Sequence, residues 1–170
     1  MRLDESNERG AMMKVGIMQP YFFPYIGYWQ LMNYVDKYVI YDDVNFIKGG
    51  WINRNRILLN GQPHYMNVIL NGASSFKKIN EITVDNKEVL IRKNLKILES
   101  TYRKAPYYET SMPVIEDILL CGKDNLAEYL LYLHFKIAEY LNINTEFIVS
   151  SAMQKTDELS GEKKVIDICK

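Results

Sequence analysis

Two cysteines and two histidines in 170 residues leave little room for several kinds of chemistry. Cys121 and Cys169 are too few for a disulfide framework. His64 and His134 stand at no metal-ligand spacing from each other or from a cysteine pair, so no metal is expected. His134, on an apolar helical stretch, reads as a hydrogen-bonded core residue, and His64, beside Pro63, as an exposed one. Charge of one sign is lacking too. Lys plus Arg equals Asp plus Glu, 21 against 21, which argues against a nucleic-acid partner. No run approaches the roughly 20 apolar residues that a membrane span needs. GxxxxGK(S/T), GxGxxG and GxSxG are all absent, which removes the P-loop, dinucleotide-fold and serine-hydrolase readings. The residues name no cofactor.

What is present is a core. Hydrophobic residues at 48% and charged residues at 25% are the balance of an ordinary globular domain. The compositional surplus is aromatic, with 13 Tyr, 6 Phe and 2 Trp, and tyrosine serves a core and a ligand pocket equally well. Residues 1–12 are polar and aperiodic and are expected to form a flexible arm. They show no secretory signal, so a cytoplasmic address is expected. Residues 13–170 read as a single α/β domain with a mostly parallel sheet, crossover helices and an inserted β-hairpin.

Lys14 to Gln19 suits a buried strand closed by Pro20, Ile26 to Val35 a helix, and Tyr38 to Val44 a second strand. Strand, helix, strand is a βαβ unit. Asn60-Gly61 between Asn53 to Leu59 and His64 to Leu70 signals a hairpin turn. A short strand follows at Glu81 to Val84. Three helices should come next, capped by Asp85, Ser111 and Asp124, and then a strand at Thr145 to Val149. Ser160-Gly161 opens a helical run from Lys163 to Lys170. A crossover helix normally returns to another strand, so a further C-terminal portion is expected.

Three constellations could carry chemistry. Gln19-Pro-Tyr21-Phe-Phe-Pro-Tyr25-Ile-Gly27-Tyr28-Trp29 joins a strand end to a helix start, where open α/β sheets place their ligands. Gln19 can donate and accept, Tyr21, Tyr25 and Tyr28 can clamp a planar or sugar-like group, and the helix start at Gly27 can face an anion. Phe22, Phe23 and Trp29 also fit as plain core filling. Asp42-Asp43 ends the second strand. Either could bind a hydroxyl, an amine or hydrated Mg²⁺, and one could act as a general base, but adjacent strand residues reach one ligand only if the backbone turns. A turn or capping role fits them as well. Lys48-Gly-Gly-Trp51-Ile-Asn53-Arg54-Asn55-Arg56 gathers three cations without an acid, which suits phosphate or carboxylate or, alternatively, a solvated hairpin face.

These three segments, together with Tyr102 to Tyr108 and Leu159 to Lys170, resemble the WbqC-like protein family, from about Met13 to the last residue. The resemblance implies a bacterial protein connected with O-antigen or other cell-surface polysaccharide. It further implies transfer of glycine or another small acyl group to a sugar precursor, and a chain that continues beyond LSGEKKVIDICK. The form of the first loop also resembles the HxGH nucleotidyltransferase pattern, with Tyr25 and Tyr28 where that pattern has histidines. A tyrosine of ordinary pKa near 10 offers only a neutral hydrogen bond there, so a nucleotide-binding crevice is the most that this likeness implies.

The leading expectation is a transferase acting on a sugar or nucleotide-sugar, with Tyr25 and Asp43 as its catalytic pair. Gln19, Tyr21, Gly27, Tyr28 and Asp42 would line the substrate site, with Trp51, Asn53 and Asn55 beside the cations Lys48, Arg54 and Arg56. The alternatives are a nucleotide-binding protein and a non-catalytic partner of polysaccharide enzymes that uses Trp51, Tyr107 and Tyr108 for protein contact. A homo-oligomer is compatible with each.

Overall fold

Val15–Met18 forms strand β1, Ile26–Tyr34 helix α1 and Lys37–Ile40 strand β2. β2 pairs with β1 in parallel, with Gly16 opposite Tyr38 and Met18 opposite Ile40, so the expected βαβ unit is present. The computed structural model describes residues 12–154 and 159–169, and the expected arm at 1–12 lies outside them except for Met12. β2 is shorter than expected. It stops at Ile40, and Asp42 and Asp43 lie in the loop beyond, because their buried carboxylates are held by side chains from a distant segment.

Strands β3 (Arg54–Leu59) and β4 (Gln62–Asn67) form the hairpin, with Leu59 opposite Gln62 and Arg56 opposite Tyr65. Asn60 and Gly61 have φ of 51° and 74°, the left-handed values that a two-residue hairpin turn of this sequence requires. Two short strands follow, β5 (Leu70–Asn71) and β6 (Thr83–Val84), paired antiparallel.

Helices α2 (Glu88–Tyr102), α3 (Tyr108–Leu119) and α4 (Leu126–Tyr140) come next, each starting away from its expected cap. Asp85 pairs with the Lys87 ammonium at 2.7 Å instead of capping α2. The Ser111 hydroxyl lies inside α3, donating back to the Tyr107 carbonyl at 2.8 Å, so Pro113 is an interior proline. Asn125 rather than Asp124 caps α4, its Oδ1 accepting from the amides of Ala127 and Glu128. Strand β7 (Glu146–Val149) adds to β2 in parallel, giving the order β1-β2-β7, and α5 (Gly161–Ile168) ends the described chain.

Two apolar cores result. The larger joins the hairpin to α2, α3 and α4 through buried Met66 of β4, Leu98 of α2, Ile118 of α3 and Leu126, Leu130 and Leu133 of α4. The smaller packs Tyr28 and Met32 of α1 on Tyr38 and Ile40 of β2. Tyr21 and Trp29 touch both, so the first loop and α1 are the seam between the two halves. Among the described residues no helix is long and apolar enough to cross a membrane.

Candidate functional site at the carboxyl edge of the parallel sheet

All three strands of the parallel sheet end at one edge, and polar residues follow within three positions: Gln19 after β1, Asp42 and Asp43 beyond Tyr41 after β2, and Ser150 and Ser151 after β7. The parallel register aligns Met18, Ile40 and Val149, which brings these residues together across more than 100 positions of sequence. Ser151 donates to Asp42 from its amide at 2.9 Å and from its hydroxyl at 2.6 Å. The Ser150 hydroxyl donates to Asp43 at 2.7 Å. The backbone does turn after β2, so both carboxylates serve the same edge.

Asp43 has a further partner that the sequence reading does not single out. The Lys164 ammonium of α5 lies 3.0 Å from the Asp43 carboxylate and donates to the Asp43 carbonyl at 2.9 Å. Both side chains are about nine-tenths buried, at 11% and 10% exposure. The same ammonium sits 5.1 Å from the centre of the Tyr41 ring. Burial, with Asp43 adding to it, raises the Tyr41 phenol above its ordinary pKa of 10.0 and keeps it a neutral donor. Lys164 has a readable signal, because it stands one turn before fully buried Ile168 and so occupies the inner face of α5. Val165 and Ile166, the apolar residues between them, are exposed. Ser150 and Ser151 have one as well, directly following a strand of a parallel sheet.

The first loop is shaped by the hairpin. Phe23 holds φ at 44°, a left-handed value that is costly for an aromatic residue. The Asn55 carboxamide donates to the carbonyls of Phe22 and Phe23, and the Phe22 amide donates to the Trp51 carbonyl at 3.1 Å. Asn55 therefore holds the loop in place, and Asn53 ties the hairpin to Val68 through its carbonyl at 3.0 Å. Phe22 is core, as one of the two readings had it.

The tyrosines divide. Tyr28 is buried and stacks on Tyr21 with ring centres 5.2 Å apart. Burial first, then the neighbouring Tyr21 and Tyr38, pushes its phenol far above the ordinary value. Tyr25 is 71% exposed, and its ring lies across Gly27, where a side chain would collide with it. The sequence places Gln19 at the end of β1, where it is half-buried.

The basic hairpin is an arginine–aromatic array. The Arg54 guanidinium donates to the carbonyls of Gly49 and Gly50 and lies 4.9 Å from the Tyr65 ring centre. Arg56 lies 5.2 Å from the Trp51 ring centre, and Trp51 stacks on Tyr65 at 6.4 Å. Lys48 sits in the exposed turn before Gly49. Arg54 is thus engaged within the protein, whereas Arg56 is exposed. Among the described residues no group of three His, Cys, Asp or Glu side chains is placed to hold a metal.

No solved structure matches the chain. It is 31% identical over 136 residues to Uncharacterized protein Rv1507c of Mycobacterium tuberculosis (strain ATCC 25618 / H37Rv). That match covers 79% of this chain but 58% of the relative, so the chain spans little more than half the relative's length. Residues 19–170, from the edge glutamine through the last helix, match the WbqC-like protein family, and the chain belongs to that family.

Proposed function

We propose that the protein is a transferase that modifies a sugar precursor of bacterial O-antigen or other cell-surface polysaccharide, passing glycine or another small acyl group from a bound donor to a bound acceptor. The observation that carries this reading is the convergence of three parallel strand ends on Gln19, Asp42, Asp43, Ser150 and Ser151, closed from α5 by Lys164. Ligands of open α/β sheets bind at this edge. Gln19, Tyr21 and Tyr25 line the acceptor, and Asp43 takes the proton of the acceptor's attacking hydroxyl or amine as the new acyl bond forms. The donor's acyl bond breaks in the same transfer, and the proton passes from Asp43 to the departing donor carrier. Lys164 holds Asp43 in position. Arg56 and Lys48 take a phosphate or carboxylate, with Arg54 fixing the turn between them and Trp51 and Tyr65 offering ring faces to a base or sugar. No covalent enzyme intermediate is needed.

The test is titration calorimetry with a panel of nucleotide-sugars and aminoacyl donors, on this chain and on a full-length relative. Binding of one donor and one acceptor class supports the reading. Absence of binding to the whole panel by folded protein overturns it. A second reading, a non-catalytic partner of polysaccharide enzymes, draws support from Tyr107, which is 75% exposed. A stable protein partner on co-purification, without small-molecule binding, would favour it.

A further inference from the structure

A cavity of about 240 Å³ opens beside the sheet edge, between the ends of β2 and β7 and the start of α4. Its polar lining is Asp42, Asn80, Asn125, Glu128 and Ser151, and its apolar lining includes Ile40, Leu131 and Val149. Among the described residues no Lys or Arg lines it. The start of a helix commonly attracts anions, but here its donors are spent. Leu126 N–H goes to the Ile82 carbonyl, Ala127 and Glu128 N–H to Asn125 Oδ1, and Tyr129 N–H to the Asn125 carbonyl. One N–H of the Asn125 carboxamide is used as well, donating to the Asn80 carbonyl at 2.7 Å. The Ser151 hydroxyl gives its proton to Asp42 and keeps its lone pairs.

The cavity therefore offers two carboxylates, a hydroxyl acceptor and two neutral carboxamides, with the backbone donors of its helix start already used. A phosphate or carboxylate would meet the like charge of Asp42 and Glu128, offset only by the neutral carboxamides of Asn80 and Asn125. A group that brings donors and positive charge would match the two carboxylates in both charge and hydrogen bonding. We propose that this cavity binds a protonated primary amine, the ammonium of an amino sugar or aminoacyl substrate, between Asp42 and Glu128. The inference rests on the transferase reading and deepens it, naming an amine-bearing ligand for one arm of the site. The volume suits one sugar ring or a small amino acid, and the buried Asp42 carboxylate, fixed by two bonds to Ser151, is preorganised for it.

The test is saturation-transfer NMR with D-glucosamine, D-glucose and N-acetyl-D-glucosamine at millimolar concentration. The expected result is glucosamine bound at least about tenfold more tightly than the two uncharged sugars, since a charge-assisted contact is lost in both. Glu128→Gln, at an exposed helix position, should keep the melting temperature and lower glucosamine affinity about tenfold. Affinity should also weaken with added salt. Equal binding of glucose and glucosamine would make this a polyol site and overturn the proposal. So would no glucosamine binding by folded protein, or an unchanged affinity in Glu128→Gln. If a nucleotide-sugar still binds in calorimetry while the amine preference fails, the transferase reading stands and only the amine assignment falls.

Discussion

Replacing Lys164 by methionine tests whether α5 closes the site through a buried ion pair. Methionine keeps most of the aliphatic length and removes the charge, including the ammonium that sits over the Tyr41 ring. Asp43 would keep its hydrogen bond from Ser150 but lose an ammonium at 3.0 Å, in a setting where both side chains are about one-tenth exposed. Removing one partner of a buried pair costs about 3–5 kcal/mol, and the residual exposure places this pair at about 3 kcal/mol. For a chain of this size that is a fall in melting temperature of roughly 6–12 °C. Urea denaturation of wild type, Lys164→Met, Asp43→Asn and the double variant reads it directly. Asp43→Asn in the methionine background should return part of the loss, with a coupling of about 1–3 kcal/mol. A Lys164→Met change below about 0.5 kcal/mol, or strictly additive variants, would refute the reasoning.

Asn55→Ala removes the clamp on the strained Phe23 loop and should cost about 1–2 kcal/mol in urea denaturation, with faster amide exchange around Phe22. Arg54→Lys keeps the charge but loses the fork onto Gly49 and Gly50, so it should lower stability by about 1 kcal/mol while Arg56→Ala leaves stability within about 0.5 kcal/mol. His134 is fully buried, which lowers its pKa from 6.5 to about 4 despite the hydrogen bond between its Nδ1 and the Leu130 carbonyl. The unfolded chain therefore binds the proton first. Stability from this residue is full above pH 6.5 and falls as the pH drops toward 4, by about 2 kcal/mol between pH 6.5 and 5. Denaturation midpoints across that range should show the slope in wild type and lose it in His134→Leu.

The βαβ unit and the hairpin were legible because their signals are local: a short apolar run before Pro20, helical spacing after Tyr25, and Asn60-Gly61 between two strand-like runs. Helix starts were less so. Asp85, Ser111 and Asp124 all have good capping chemistry, yet tertiary contacts and neighbouring residues decide which one is used, and an ion pair with Lys87 takes Asp85 away. Asp42 and Asp43 could be found as a pair at a strand end. Their partners could not, since Ser150, Ser151 and Lys164 lie 107 to 121 residues away and only the parallel register of β7 and the inner face of α5 bring them close. Arg54 and Asn55 were visible as unusual polar residues in a hairpin. Their engagement with the carbonyls of Gly49, Gly50, Phe22 and Phe23 depends on backbone positions that no side-chain pattern encodes.

The most direct measurement of the central claim is a crystal structure with the tightest-binding nucleotide-sugar of the calorimetric panel. The expected density places the sugar at the carboxyl edge, within hydrogen-bonding distance of Gln19 and Asp43, and the phosphate on Arg56. Ligand density elsewhere, for example in the basic groove of α2 at Arg92, Lys93 and Lys96, with the sheet edge untouched, would contradict it.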